Sequence, residues 1–267
     1  MLRLSILILC LLSCKPATTL THEAMTADYS YHTLEVDGNV LPYRMLLPEN
    51  YDKNKAYPLI LFLHGAGERG NDNELQLVHG SARFLDEVER AQYPAIIVFP
   101  QCAEETTWSG YLWNDGDIDF NHDSNDSKLV THQILIKALI AELIQNYKLD
   151  HHRLYIGGLS MGGMGTFETV RQNPGLFAAA FPICGGADPK IAKELTGPSW
   201  WIFHGEEDEV VKSAYSAEMA KALKAEGADV QLTMYPGVGH DSWKQAFAEP
   251  MLMEWLFGHR RIENKNH

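Results

Sequence analysis

The chain has 267 residues, 45% of them hydrophobic and 21% charged, enough to bury a large core in one domain without disulfides or metals. Its 35 acidic against 22 basic side chains leave a net charge of -13, and no basic stripe interrupts that surplus. Nucleic-acid binding is excluded on this ground, because such a surface repels phosphate.

The chain opens on "MLRLSILILCLLSCKPATTL". Arg3 gives a positive start, and Leu4 to Leu12 form an apolar stretch too short for a comfortable membrane span, which predicts an export signal. Leu11-Leu12-Ser13-Cys14 resembles the lipobox of bacterial lipoproteins. The resemblance implies cleavage after residue 13 and a lipid on Cys14, so that an exported protein is held to a membrane by that anchor alone, facing the periplasm or the cell surface. An ordinary secretory signal cut a few residues later is the alternative. Residues 14–28 are polar and unpatterned and read as a tether, residues 29–260 as the folded domain, and 261–267 as a polar tail.

Tyr31 to Val36 and Leu41 to Leu47 flank Asp37-Gly38-Asn39, a hairpin signal. Leu59 to Leu63 then reads as a buried strand, followed by "LHGAGERG", whose glycines let backbone amides turn toward a developing negative charge. Ala95 to Phe99 is a further strand. Trp108, Tyr111 and Trp113 are candidates for an aromatic wall over a substrate or, equally, for core packing. "DGDIDFNHDSND" from Asp115 spaces its acids like a calcium loop. Phe120, however, stands where such a loop needs glycine, and Asp126 is shorter than the usual bidentate glutamate. A solvated acidic loop is expected there and no metal is assigned. Ser124, Asp126 and Ser127 could cap a helix running from about Lys128 to Tyr147.

"RLYIGGLSMGGMGTFETV" carries the chemistry. Leu154 to Gly157 suits a strand and Met161 to Asn173 a helix ending before Pro174. Between them Gly158-Leu159-Ser160-Met161-Gly162 matches the G-x-S-x-G elbow, in which small residues two before and two after the serine let neighbouring chains approach. Further strands are expected at Phe177 to Ile183, Trp200 to Phe203 and Val230 to Tyr235, and a final helix from Trp243 to Phe257. Cys102 and Cys184 each follow a strand. They could form a disulfide, although two partly buried thiols are the preferred reading.

Alternating strands and helices after an opening hairpin argue for a mostly parallel sheet covered on both faces. Reactive groups in such a sheet gather at the strands' carboxyl ends. Past the Trp200 strand lies "HGEEDEVV", and past the Val230 strand "PGVGHDSW". This gives Ser160, Asp208 and His240 in that order. A serine hydroxyl needs a neutral imidazole to take its proton, and the imidazole needs a carboxylate to fix its tautomer. Glu206, Glu207 and Glu209 compete with Asp208 for that role, but Asp208 precedes Val210-Val211, which can pack its loop onto the core. Asp241 adjoins His240 and would point elsewhere. The oxyanion donors are expected to be the Ala66 and Met161 amides, with Gly65 as a substitute for Ala66. His64 reads as a structural side chain beneath the loop, and Trp243 as a rim residue of the site or a cap on the last helix.

"LHGAGERGNDNELQLVHG", "FPQC", "YIGGLSMGGMGTFE", "FPICGG", "FHGEEDEVV" and "YPGVGHDSW" together resemble the polyhydroxybutyrate-depolymerase-like and feruloyl-esterase-like branch of the α/β hydrolases. Proteins of this branch are often labelled predicted peptidases or phospholipase/carboxylesterases. The resemblance implies an eight-stranded α/β-hydrolase fold without a large lid. It also implies Ser160 as nucleophile, Asp208 as acid and His240 as base, and carboxylic-ester substrates of small or carbohydrate-linked, acetyl or feruloyl type, with no cofactor. A serine peptidase and a non-catalytic glycan-binding lipoprotein are the competing readings.

Overall fold

The central strand β3 (Tyr57–Leu63) is buried at every position, as a strand covered on both faces must be. Its side chains alternate between two cores. Leu59, Leu61 and Leu63 join one apolar cluster, while Ile60 and Phe62 join the other. The structure, a computed structural model, describes residues 27–120 and 127–261. The export signal, Cys14, most of the tether, the capping candidates Ser124 and Asp126, and all of the tail past residue 261 lie outside the described residues.

Among the described residues eight strands form one sheet, in the order β1 (Ser30–Val36), β2 (Asn39–Leu46), β4 (Ile96–Pro100), β3, β7 (Leu149–Leu159), β8 (Ala179–Ile183), β9 (Ser199–Gly205) and β10 (Val230–Tyr235). β1 and β2 make the expected hairpin, and β2 also pairs antiparallel with β4. The rest of the sheet is parallel: β3 joins β4 to β7, and β8, β9 and β10 follow. The helices spanning Ser127–Asn146, Met161–Gln172 and Ala214–Ala225 supply Leu135, Leu139, Phe167, Met219 and Leu223 to the first core. Ala246, Leu252 and Leu256 from the C-terminal helices cover the opposite face. The expected architecture is the one observed.

Two expectations need correction. The single final helix is two, Trp243–Ala248 and Leu252–Gly258. Glu249 precedes Pro250 and is extended, with φ -63° and ψ 113°, because a following proline disfavours the α conformation. Second, the segment after Tyr111 is not a plain loop. β5 (Leu112–Asn114) and β6 (Asp117–Asp119) form a hairpin, turned by Asp115 and Gly116 at φ 49° and 80°. Asp117, one of the spaced acids, is engaged by Lys212 Nζ and by the Tyr215 hydroxyl. Cys102 and Cys184 are free thiols, as preferred, and are fully buried. Burial pushes the Cys102 thiol up to about 12.

Candidate active site

Ser160 sits between the last residue of β7 and the first of the helix Met161–Gln172, at φ 53° and ψ -116°. Such a conformation is costly for a residue with a Cβ and persists only where its surroundings dictate it. Here the Ser160 amide donates to Ile183 O at 2.8 Å and its carbonyl accepts from Met164 N at 3.0 Å. The flanking glycines are required. A Cβ on Gly158 would lie 2.3 Å from Gly162 O, and one on Gly162 only 1.9 Å from Leu63 O.

The loops after β9 and β10 bring Asp208 and His240 to the same edge. Ser160 Oγ lies 2.9 Å from His240 Nε2, and His240 Nδ1 lies 2.7 Å from Asp208 Oδ2. Gly205 allows the two loops to cross, since a Cβ there would meet Gly239 O at 2.3 Å. The Glu207 amide, donating to Val238 O at 2.9 Å, ties the loops together.

Asp208 is buried, whereas Glu206, Glu207 and Glu209 are exposed. Asp208 Oδ1 accepts from the amides of Val210 and Val211 at 2.8 and 2.9 Å. Val211 is fully buried, so it anchors the loop as expected, but Val210 faces solvent. Asp241 pairs with Lys244 at the surface, away from the histidine.

One residue escaped the sequence reading. His204 Nε2 lies 3.1 Å from the same Asp208 oxygen that meets His240, and 2.9 Å from Val211 O. The carboxylate is therefore clamped by two imidazoles and two amides. The available signal was the position of His204 on the buried end of β9, one turn's spacing before Asp208. Burial alone would raise the Asp208 carboxyl. Hydrogen bonds from His204, His240 and the Val211 amide outweigh it and hold the carboxyl well below the ordinary carboxylate range.

A depressed folded-state value stabilises the fold above the unfolded-state value of about pH 4, and the contribution fades as pH falls from there toward the folded value. Asp208→Asn should therefore lose roughly 2–3 kcal/mol at pH 7. The gap to the parent protein should narrow as urea denaturation is repeated at progressively lower pH through the acid range. A gap of constant size across that range would contradict this reading.

Of the oxyanion candidates, Met161 follows Ser160 in the chain and Gly65 lies against it in space. Met161 opens its helix, so its amide has no acceptor within that helix. Ala66 opens a tight turn, Ala66–Glu68, directly after Gly65. A Cβ on Gly65 would lie 3.7 Å from Ser160 Cβ, which places this turn against the nucleophile. His64 braces the turn from beneath. Its Nε2 accepts from Cys102 N at 2.9 Å, which leaves the proton on Nδ1 to donate to Gly65 O at 2.6 Å. Burial pulls the His64 imidazole down to about 4, so it acts as a neutral strut.

The aromatic candidates separate. Trp108 is fully buried and donates from Nε1 to His64 O at 3.0 Å. It supports the turn after His64 from the core and cannot be part of a substrate wall. Trp113, on β5, packs beside a small cluster of Ile118, Met164 and Val211, and the Gly116–Val211 bridge joins its hairpin to the acid loop. Trp243 stands edge-on to His240 with ring centroids 5.6 Å apart, at the rim.

Cys184, Asp208 and His240 offer atoms within 4.8 Å of one another. The thiol is fully buried and pushed up by that burial, and both Asp208 oxygens already accept two hydrogen bonds. The grouping reads as packing beneath the imidazole, not as a cation's ligand set.

This geometry can activate a hydroxyl. Residues 50–251 match the model of the phospholipase/carboxylesterase family. The chain is 25% identical to an acyl-protein thioesterase 1 of Neurospora crassa over 206 residues, covering 68% of this chain and 80% of that protein. Among solved structures, a thermostable esterase superposes with a TM-score of 0.80 at 34% identity, over 89% of this chain and 64% of the other. A ferulic acid esterase superposes with a TM-score of 0.62 at 20% identity, covering 85% and 95% of the two chains, a likeness of fold.

Proposed function

The chain belongs to the phospholipase/carboxylesterase family of α/β hydrolases, and from that premise we propose that Ser160, His240 and Asp208 carry out ester hydrolysis through an acyl-enzyme. The observation that supports this most is the unbroken line of contacts, 2.9 Å from Ser160 Oγ to His240 Nε2 and 2.7 Å from His240 Nδ1 to Asp208 Oδ2. As Ser160 Oγ attacks the carbonyl carbon, His240 Nε2 takes its proton. Asp208 holds the Nδ1–H tautomer and stabilises the imidazolium that forms. The Ala66 and Met161 amides face the developing oxyanion, each donor contributing about 3 kcal/mol to the transition state. Collapse expels the alcohol, protonated by His240. Water, deprotonated by the same nitrogen, then releases the acid and restores Ser160.

The proposed substrates are esters of small acyl or aromatic acids, acetyl or feruloyl in type, on small or carbohydrate alcohols. The test is a panel of acetyl, feruloyl and long-chain acyl esters alongside matched amides. Turnover should favour acetyl or feruloyl esters. Amide cleavage exceeding ester cleavage would replace the reading with a peptidase, and the absence of turnover on every ester would overturn it.

A further inference from the structure

His204 is a buried titratable side chain that the proposed reaction does not use. It has no exposed surface, and an imidazole in that position costs stability unless both ring nitrogens find partners. Both do. Nε2 lies 3.1 Å from Asp208 Oδ2 and 2.9 Å from Val211 O. A carboxylate and a carbonyl only accept, so Nε2 carries a proton and donates it. Nδ1 lies 2.7 Å from Ser216 Oγ, which in turn stands 2.9 Å from Gly185 O. That hydroxyl can serve the ring either way, giving its proton to a bare Nδ1, or accepting one from Nδ1 and turning its own to Gly185 O.

The carboxylate between the two histidines is filled by this arrangement. Oδ1 accepts from the Val210 and Val211 amides, and Oδ2 accepts from His204 Nε2 and from His240 Nδ1. Held by the amides alone, the carboxylate could still pivot about Oδ1 and swing Oδ2 away from His240. His204 removes that freedom from the buried side. Ser216, itself buried on the helix Ala214–Ala225, holds the ring from behind. The backbone under the ring is fixed as well, since His204 is in register with Met234 of β10 and the next residue, Gly205, lies where the two loops cross. The contacts run hydroxyl, imidazole, carboxylate, imidazole, hydroxyl, with Asp208 at their centre.

Resting on the proposed triad, we propose that His204 and Ser216 are positioning residues for the acid, which together hold Asp208 Oδ2 on the line to His240 Nδ1. They set the direction of the base without touching substrate. An apolar side chain at position 204 would fill the same space with no polar group to desolvate, but would leave Oδ2 with a single donor. The effect belongs to turnover and not to substrate binding, because the aim of the imidazole matters only as the proton moves.

The test measures kcat and KM on nitrophenyl acetate for the parent, His204→Phe, His204→Gln and Ser216→Ala, with thermal melting as the folding control. Low-field proton NMR follows the His240 Nδ1–H, assigned by its loss in His240→Ala. His204→Phe should lower kcat by roughly 10- to 100-fold, with KM within about twofold of the parent, and should move the His240 resonance. His204→Gln, whose amide restores a donor to Oδ2, should recover much of the turnover and return the resonance toward its parent position. Ser216→Ala should lower kcat by about fivefold, the effect of one lost hydrogen bond. A histidine that only fills space would change the melting temperature alone, leaving kcat and the resonance at their parent values, and that result overturns the role. So does a His204→Gln no better than a folded His204→Phe. If His204→Phe does not fold, Ser216→Ala decides by the same two readouts, and parent values in both overturn the role. A parent enzyme without turnover of the ester removes the underlying reaction instead.

Discussion

Ser160→Ala is expected to lower kcat on nitrophenyl acetate by roughly 10^5- to 10^6-fold while the protein stays folded. The reason is local. Ser160 Oγ meets His240 Nε2, and the elbow itself is held by the backbone bonds of residue 160 and by its glycine neighbours. Alanine keeps all of those and removes only the nucleophile. His240→Ala should cost about as much, and the double variant little more, because nucleophile and base act as one unit. KM should move far less than kcat, since the lost interaction belongs to the transition state. Retention of turnover within about tenfold of the parent, in the single-turnover regime, would remove Ser160 from the mechanism.

The second large effect is on the fold. Gly162→Ala places a methyl group 1.9 Å from Leu63 O and 2.7 Å from His64 O. Both are backbone atoms of the segment that leads from the central strand into the oxyanion turn, and neither can rotate away. Relief requires moving the helix, the strand or the turn, and overpacking of this kind costs about 3 kcal/mol or more. For a domain of this size the melting temperature should fall by roughly 6–12 °C. Gly258→Ala is the control. A Cβ there meets nothing within 4 Å, and scanning calorimetry should find it near neutral. Equal melting points for the two variants would contradict the close approach on which the elbow depends.

The strands were legible because burial on both faces demands unbroken apolar runs, as in Tyr57–Leu63 and Ala179–Ile183. The elbow was legible because Gly158 and Gly162 have no alternative at such distances. The order of serine, acid and histidine could be read from strand ends alone, since a parallel sheet delivers all its carboxyl ends to one edge. The hairpin after Tyr111 was missed although Asp115-Gly116 is a strong turn signal, because the acidic spacing drew a metal-loop interpretation first. Trp108 could not be placed from sequence. Its depth depends on Gly165, where a Cβ would sit 2.3 Å from Trp108 Cβ, a contact across 57 positions of chain. His204 was overlooked for a related reason. Nothing in "FHGEED" shows that the imbedded histidine turns back onto the carboxylate four residues later.

In the proposed mechanism these distant side chains make one hydroxyl uniquely reactive. Fluorophosphonate treatment followed by peptide mapping measures that reactivity at its source. A single phosphonyl adduct on Ser160 is expected, lost in His240→Ala although the serine is still present. An adduct on another residue, or an unmodified protein under conditions that label a control serine esterase to completion, would contradict it.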